Sequence, residues 1–153
     1  MATGDAREPY EMPEEEWIER RSRDYNSATP DPKVYTSGVI NELSRLCRHE
    51  NDKWWRDPLT NEVIFRNKGE LLMLMVSEIA EAMEGERKDL MDDKLPHRRM
   101  VEVELADLLI RVFDYAGEYN LDLGGAFIEK LEYNRIRADH THEARLAPNG
   151  KKF

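Results

Sequence analysis

The sequence predicts an all-α fold, arranged as an oligomeric four-helix bundle, and three observations lead to this prediction. Four stretches, beginning near Ser37, Asn67, His97 and Asp122, place apolar residues with the 3.6-residue period of a helix. Capping and turn residues stand between these stretches. No segment shows the alternation of a strand, and the short connections favour antiparallel helical neighbours.

The first helix is predicted from about Ser37 to Trp54. Asp57-Pro58 follows it and ends the helical pattern, because proline cannot donate the backbone hydrogen bond that a helix interior needs. The inner face of this helix is expected to carry Val39, Leu43, Leu46, Cys47 and Trp54.

The second helix has the clearest starting signal. Asn67 can cap it, and Glu70 stands three residues later, as in a capping box. The helix is expected to continue through residues 71–83 and to end near Lys88. A charged loop, residues 89–96, then leads to the next helix.

The third and fourth helices are predicted from about His97 to Tyr119 and from Leu123 to about Ala138. Pro96 suits the first turn of the third helix, because its missing N–H is not needed there. Asp122 is a suitable cap for the fourth. These assignments divide the chain into a polar extension, residues 1–33, a helical domain, residues 34–138, and a tail, residues 139–153.

Composition limits the possible partners and compartments. The net charge is −9 and 36% of the residues are charged, which argues against broad binding to nucleic acid or to anionic membranes. No apolar run approaches the roughly 20 residues of a membrane span, and the N-terminus has no signal-peptide core. Cys47 is the only cysteine and cannot form an internal disulfide. A cytoplasmic protein is therefore expected.

Two pairs of carboxylates carry the clearest chemical signal. Glu78 and Glu81 lie three residues apart on the second helix, and Glu104 and Asp107 have the same spacing on the third. This spacing puts both members of a pair on one helix face, here the apolar face. Buried anions need compensation, and oxygen ligands from two helices suit a hard divalent cation such as Mg²⁺. All four are therefore predicted metal ligands, and Mg²⁺ in turn suits a phosphorylated substrate.

The arrangement of these carboxylates resembles a known enzyme family. Glu78-x-x-Glu81, a gap of 22 residues and Glu104-x-x-Asp107, with the surrounding residues 77–82 and 104–111, are similar to the signature of the MazG-like all-α nucleoside triphosphate pyrophosphohydrolases. The resemblance covers about residues 37–138. It implies a Mg²⁺-dependent hydrolase that converts a (deoxy)nucleoside triphosphate to the monophosphate and pyrophosphate, working as a homodimer or homotetramer.

The resemblance also implies substrate-binding residues. Lys130 and Asn134, on the fourth helix, match a Lys and an Asn that contact the substrate phosphates and sugar in the family. Arg137 and Tyr133 belong to the same stripe, and an arginine suits bidentate contact with phosphate. The related enzymes place aromatic residues near the base. Either Trp54 or Trp55 could serve in this way here.

Within the carboxylate cluster, two further roles are expected. Neighbouring carboxylates raise one another's pKa, so one of them can act as the general base, and Glu78 or Glu81 is the candidate. Arg111 and Asp114 continue the stripe of Glu104 and Asp107, and an internal ion pair that orients the metal ligands is expected there.

A homo-oligomer is expected on physical grounds as well, because four helices with such wide apolar faces would bury part of them against a partner chain. A different class of function stays open: a non-catalytic helical module that binds a nucleotide or a metal and acts by oligomerising. The same carboxylates would then hold a structural cation. Hydrolysis at catalytic rates would distinguish the enzyme from this module.

Overall fold

The computed structural model describes residues 31–148 and residue 150, with the side chains of Asp139 and His142 left aside. The chain separates into two units, Met1–Pro32 and Lys33–Phe153, and the description below concerns the second. The predicted N-terminal extension, residues 1–33, therefore lies almost wholly outside the described residues. So does the end of the predicted tail, residues 151–153.

Helices are the only named regular elements in the described residues, which confirms the all-α prediction at this level. Two short 3₁₀ helices, Asp52–Trp55 and Ala138–His140, accompany the α-helices. Isolated bridges pair Arg56 with Val63 and Met91 with Arg99 in the loops. The α-helices are α1 (Pro32–Glu50), α2 (Lys68–Lys88), α3 (Met100–Glu118), α4 (Leu123–Ile136) and α5 (His142–Leu146).

The helix starts follow local chemistry. The Asn67 side chain accepts hydrogen bonds from the amides of Gly69 and Glu70, at 2.8 and 3.3 Å, and so caps α2 as predicted. Asp122 accepts from the Gly125 amide at 2.9 Å and caps α4. Each such cap satisfies amides that have no partner within the helix, which contributes about 1 kcal/mol.

Helix α3 begins three residues later than predicted, at Met100 rather than His97. The loop before it uses its backbone groups elsewhere. The Asp92 side chain accepts from the amides of Lys94 and Leu95, at 3.0 and 2.6 Å, and the Arg98 amide donates to the Leu95 carbonyl oxygen. These bonds compete with a helical turn, because Asp readily bonds nearby backbone amides.

Helices α2 and α3 lie side by side and run antiparallel. Near the end of α2, a Cβ added to Gly85 would lie 2.9 Å from the Met100 Cβ at the start of α3. Near the start of α2, Leu71 lines a small cavity together with Tyr115, which lies near the end of α3. The glycine thus leaves room for the Met100 side chain and allows the start of α3 to pack closely on the end of α2.

Helix α1 approaches the junction of α3 and α4 through small residues. Ser44 is the buried residue of α1, and a Cβ on Gly117 would collide with its carbonyl oxygen. Closer to the start of α1, the Asn41 side chain accepts from the Gly124 amide at 2.8 Å and donates to the Asp122 side chain at 2.8 Å. The contact therefore depends on backbone proximity and polar bonds.

The predicted inner face of α1 is wrong. Val39, Leu43 and Leu46 are 39%, 36% and 51% exposed, and Cys47 is only half-buried. The reason is that small residues, rather than these large ones, meet α3 and α4. Helix α1 also ends at Glu50, and Trp54 belongs to the following 3₁₀ helix.

Apolar side chains also stay exposed on α2 and α3. On α2 they recur at helical spacing, at Leu72, Val76, Ile79 and Met83. On α3 Leu105 and Leu109 are about half exposed. Among the described helices, none combines the length and the apolar character that crossing a bilayer requires.

Candidate metal centre and adjoining cleft

Three carboxylates from two helices converge. Glu78 on α2 and Glu104 and Asp107 on α3 each offer an oxygen, and these oxygens lie within 4.8 Å of one another. Glu78 and Glu104 are buried, at 4% and 8% exposure, whereas Asp107 is exposed. The antiparallel packing of α2 on α3 thus gathers three of the four residues that the sequence selected as metal ligands.

The fourth predicted ligand, Glu81, stands slightly apart. It is exposed and lies outside the group of three oxygens. Its charge still contributes to the raised pKa of Glu104. The expectation that the whole set would lie on the buried side therefore holds for Glu78 and Glu104, one residue from each pair. The other member of each pair faces solvent.

The electrostatics of the cluster call for positive charge. Burial, followed by the charge of Glu81 and contact with Glu78, raises the pKa of Glu104 from 4.5 to about 7. Burial and the charge of Glu78 also raise the pKa of Asp107, against the lowering effect of Arg111 and Lys94. A hard divalent cation prefers carboxylate oxygens and would offset this repulsion, so the donor set fits Mg²⁺.

Arg111 compensates part of the charge. Its Nε donates to Oε1 of Glu78 at 2.6 Å, which holds the orientation of a carboxylate from the neighbouring helix. The sequence predicted an ion pair of Arg111 with Asp114, and this partner is wrong. Asp114 is buried and instead accepts from the Trp55 indole N–H, at 3.1 and 3.2 Å to its two oxygens. Residues one turn apart on one helix had suggested a pair, but each finds its partner on another segment.

A cleft of about 380 Å³ adjoins the metal cluster. Asp107 and Asp114 both line it, and they lie seven residues apart on α3, which corresponds to about 10 Å of helix rise. The volume falls in the range of small-molecule sites. The lining residues are Asn51, Trp54, Arg66, Asp107, Ile110, Arg111 and Asp114.

The two tryptophans have different environments. Trp54 is 61% exposed and lines the cleft, so its ring is accessible to a ligand. Trp55 is 2% exposed and bonded to Asp114, and it meets the edge of Tyr119 with ring centroids 6.1 Å apart. Of the two sequence candidates for contact with a base, Trp54 has the accessible ring and Trp55 is part of the core.

The predicted substrate-binding stripe on α4 holds together but does not line this cleft. The centroid of the Tyr133 ring lies 4.9 Å from the Nζ of Lys130 and 5.8 Å from the Cζ of Arg137. The Oδ1 atom of Asn134 is buried, and no described residue offers it a hydrogen bond. An unsatisfied buried acceptor is uncommon in folded proteins, which marks Asn134 as a position where a donor is missing.

Three cleft residues were not singled out from the sequence: Asn51, Arg66 and Ile110. Asn51 precedes the 3₁₀ helix, and Arg66 stands directly before the cap of α2. Arg66 reaches the cleft because the hairpin-like loop between α1 and α2 folds back. Within this loop, the Ile64 amide donates to the Trp55 carbonyl oxygen at 3.0 Å. The only sequence signal would have been the position of Arg66 next to the carboxylate-bearing helix.

No protein-family model, curated protein or solved structure matches this chain. The resemblance to the MazG-like pyrophosphohydrolases therefore stays a prediction.

Proposed function

We propose that this chain is a Mg²⁺-dependent nucleoside triphosphate pyrophosphohydrolase of the MazG-like, four-helix type. It would cleave a (deoxy)nucleoside triphosphate to the monophosphate and pyrophosphate. One observation carries the proposal: the convergent oxygens of Glu78, Glu104 and Asp107 lie beside a cleft that also exposes the Trp54 ring. A nucleotide has the matching parts, namely phosphates that bind a cation and a base that stacks on an aromatic ring.

The charge of the site is consistent with this substrate class. A triphosphate is strongly anionic and would be repelled by three carboxylates alone. Bound Mg²⁺ would neutralise phosphate oxygens, orient the anhydride and lower the pKa of the attacking water. Arg111 borders both the cluster and the cleft, and only its Nε is engaged by Glu78, so its remaining N–H groups can contact a phosphate.

The positions of the carboxylates suggest a division of roles. Oε1 of Glu78 accepts from Arg111, which suits a carboxylate held in place to bind a cation. Glu104 and Asp107 complete the ligand set. Glu81 is exposed beside them, outside the oxygen cluster, and is the better of the two candidates for taking a proton from water.

The proposal includes a homodimer or homotetramer. Exposed apolar side chains at helical spacing on α2, with Leu105 and Leu109 on α3, form a surface of the kind that protein partners cover. The stripe of Lys130, Tyr133, Asn134 and Arg137 lies outside the cleft of its own chain. A second copy is one means of bringing these residues to a nucleotide.

The test is pyrophosphate release, measured as phosphate after addition of inorganic pyrophosphatase, over a panel of nucleoside triphosphates with Mg²⁺ or EDTA. We expect Mg²⁺-dependent release that disappears in Asp107→Asn and persists in a matched surface variant, Asp93→Asn. Asp93 is 80% exposed in the loop before α3. A folded protein that binds nucleotides without turnover would instead support the non-catalytic binding module.

A further inference from the structure

The cleft contains an arginine near Asp114 whose N–H groups donate no hydrogen bond within the described structure. Arg66 lines the cleft, and its guanidinium carbon lies 5.3 Å from the centroid of the Trp55 ring. Among residues 31–148 and 150, its N–H groups meet no hydrogen-bond acceptor. A half-buried guanidinium offers five N–H donors in a rigid fork, so a ligand with acceptor atoms would satisfy them.

The position of Arg66 separates it from the phosphate end. Its guanidinium lies over the Trp55 ring, and the indole N–H of Trp55 donates to Asp114, which is further along α3 than the metal ligands. Asp114 is about 10 Å of helix rise from Asp107. A nucleotide whose phosphates meet the metal cluster would therefore present its nucleoside, rather than its phosphates, to Arg66. The exposed Trp54 ring lines the same cleft and can stack on a base.

The carboxylate at this end of the cleft, Asp114, is less accessible than the Arg66 guanidinium. Asp114 is 8% exposed, and both of its oxygens accept from the Trp55 indole N–H. Arg66 is half-buried and offers only donors, whereas the Asn51 side chain, which also lines the cleft, offers donors and one acceptor and so favours neither kind of base. An oxo group on the base accepts from a guanidinium, whereas an exocyclic amino group would place one donor against another.

We propose that Arg66 determines the base specificity of this site and selects oxo bases, such as hypoxanthine, guanine and uracil, over amino bases. The inference depends on the proposed nucleotide site, and it extends that proposal from the reaction to the class of base. The discrimination comes from the free-energy cost of leaving the Arg66 donors without an acceptor when an amino base enters the cleft.

The test compares two pairs of substrates that differ at one ring carbon, dITP with dATP and dUTP with dCTP. In wild type, kcat/KM for the oxo member should exceed that for the amino member by roughly ten-fold, the discrimination of a good arginine–base contact. Arg66→Ala should bring both ratios close to one. Arg66→Lys keeps the charge but loses the fork, so it should retain only part of the discrimination. Arg45→Ala is the control, because Arg45 pairs with Glu42 on the exposed side of α1 and should leave the ratios unchanged.

Two kinetic outcomes would overturn the inference. An equal loss for all four substrates in Arg66→Ala would place Arg66 on the phosphates or the fold. A wild-type preference for dATP and dCTP would indicate Asp114 as the residue that contacts the base.

A binding titration with the monophosphates dIMP and dAMP separates this inference from the proposed reaction. Selective binding of dIMP that depends on Arg66, without turnover of any triphosphate, would support base selection and reject the hydrolase. Turnover without base selectivity would reject the base selection alone. If the protein shows neither turnover nor selective binding, both the hydrolase and the base selection are rejected.

Discussion

At the scale of single residues, the pKa of Glu104 links the metal site to stability. Its folded-state pKa, about 7, is higher than its ordinary value of 4.5 because it is buried among other carboxylates. Between these two pH values the folded protein keeps a proton that the unfolded chain releases. Without metal, stability should therefore fall as pH rises from about 4.5 to 7 and stay low above that range.

The variant Glu104→Gln tests this linkage. Glutamine keeps the shape of the side chain and removes the charge, so thermal unfolding in EDTA should occur at a higher temperature than in wild type at pH 8. Near pH 4 the two proteins should unfold at similar temperatures, since Glu104 is then neutral in both states. Mg²⁺ should raise the unfolding temperature of wild type more than that of the variant. An advantage of Glu104→Gln that is equal at both pH values would contradict the linkage.

Glu81 and Asp107 should differ in how they affect catalysis. Asp107→Asn removes the negative charge of one of the three convergent carboxylates. It should therefore weaken Mg²⁺ activation and abolish turnover. Glu81→Gln leaves that group intact and should lower kcat by roughly 10²–10⁴-fold with little change in the Mg²⁺ concentration for half activation. Steady-state rates over a Mg²⁺ titration measure both quantities. Equal shifts of the Mg²⁺ dependence in the two variants would instead make Glu81 a metal ligand.

At the scale of helices, glycine and serine decide how α1 meets α3. Gly117→Ala should destabilise the protein by about 1–3 kcal/mol, because the new Cβ would collide with the backbone oxygen of Ser44, which cannot rotate away. Gly38→Ala is the matched control on α1, where an added Cβ meets nothing within 4 Å. This substitution should stabilise the protein by about 0.5–1 kcal/mol. Urea unfolding of the two variants measures the difference in the free energy of unfolding. Similar stabilities would contradict a tight contact between Gly117 on α3 and Ser44 on α1.

At the scale of the whole molecule, the exposed apolar surface predicts assembly. Val76 and Ile79 on α2 are about half exposed, which is costly in a stable monomer of this size. Sedimentation should give a mass of two or four times 18.0 kDa. Val76→Glu should shift it toward 18.0 kDa, whereas Leu59→Glu, at a loop position that is 94% exposed, should leave it unchanged. A monomeric wild type would contradict the predicted assembly.

Local sequence patterns predicted the four longer helices, although the first runs from Pro32 to Glu50 rather than from Ser37 to Trp54 and the short helix His142–Leu146 was not foreseen. The 3.6-residue periodicity and the caps Asn67 and Asp122 are local properties, so they could be read without knowledge of the neighbours. The i, i+3 spacing placed two acidic residues on one face of each of two helices. Antiparallel packing of consecutive helices was then enough to suggest that these carboxylates converge.

Which neighbour each side chain meets depends on the packing of distant segments. This packing selected Trp54 for the cleft and Trp55 for the core, paired Arg111 with Glu78, and placed Ser44 rather than Leu43 against α3. It also brought Arg66 from a loop to the cleft. The physical reason is that periodicity defines the apolar face of a helix but not what covers it. Close approach at Gly117 and Gly124 depends on the backbones of two segments at once.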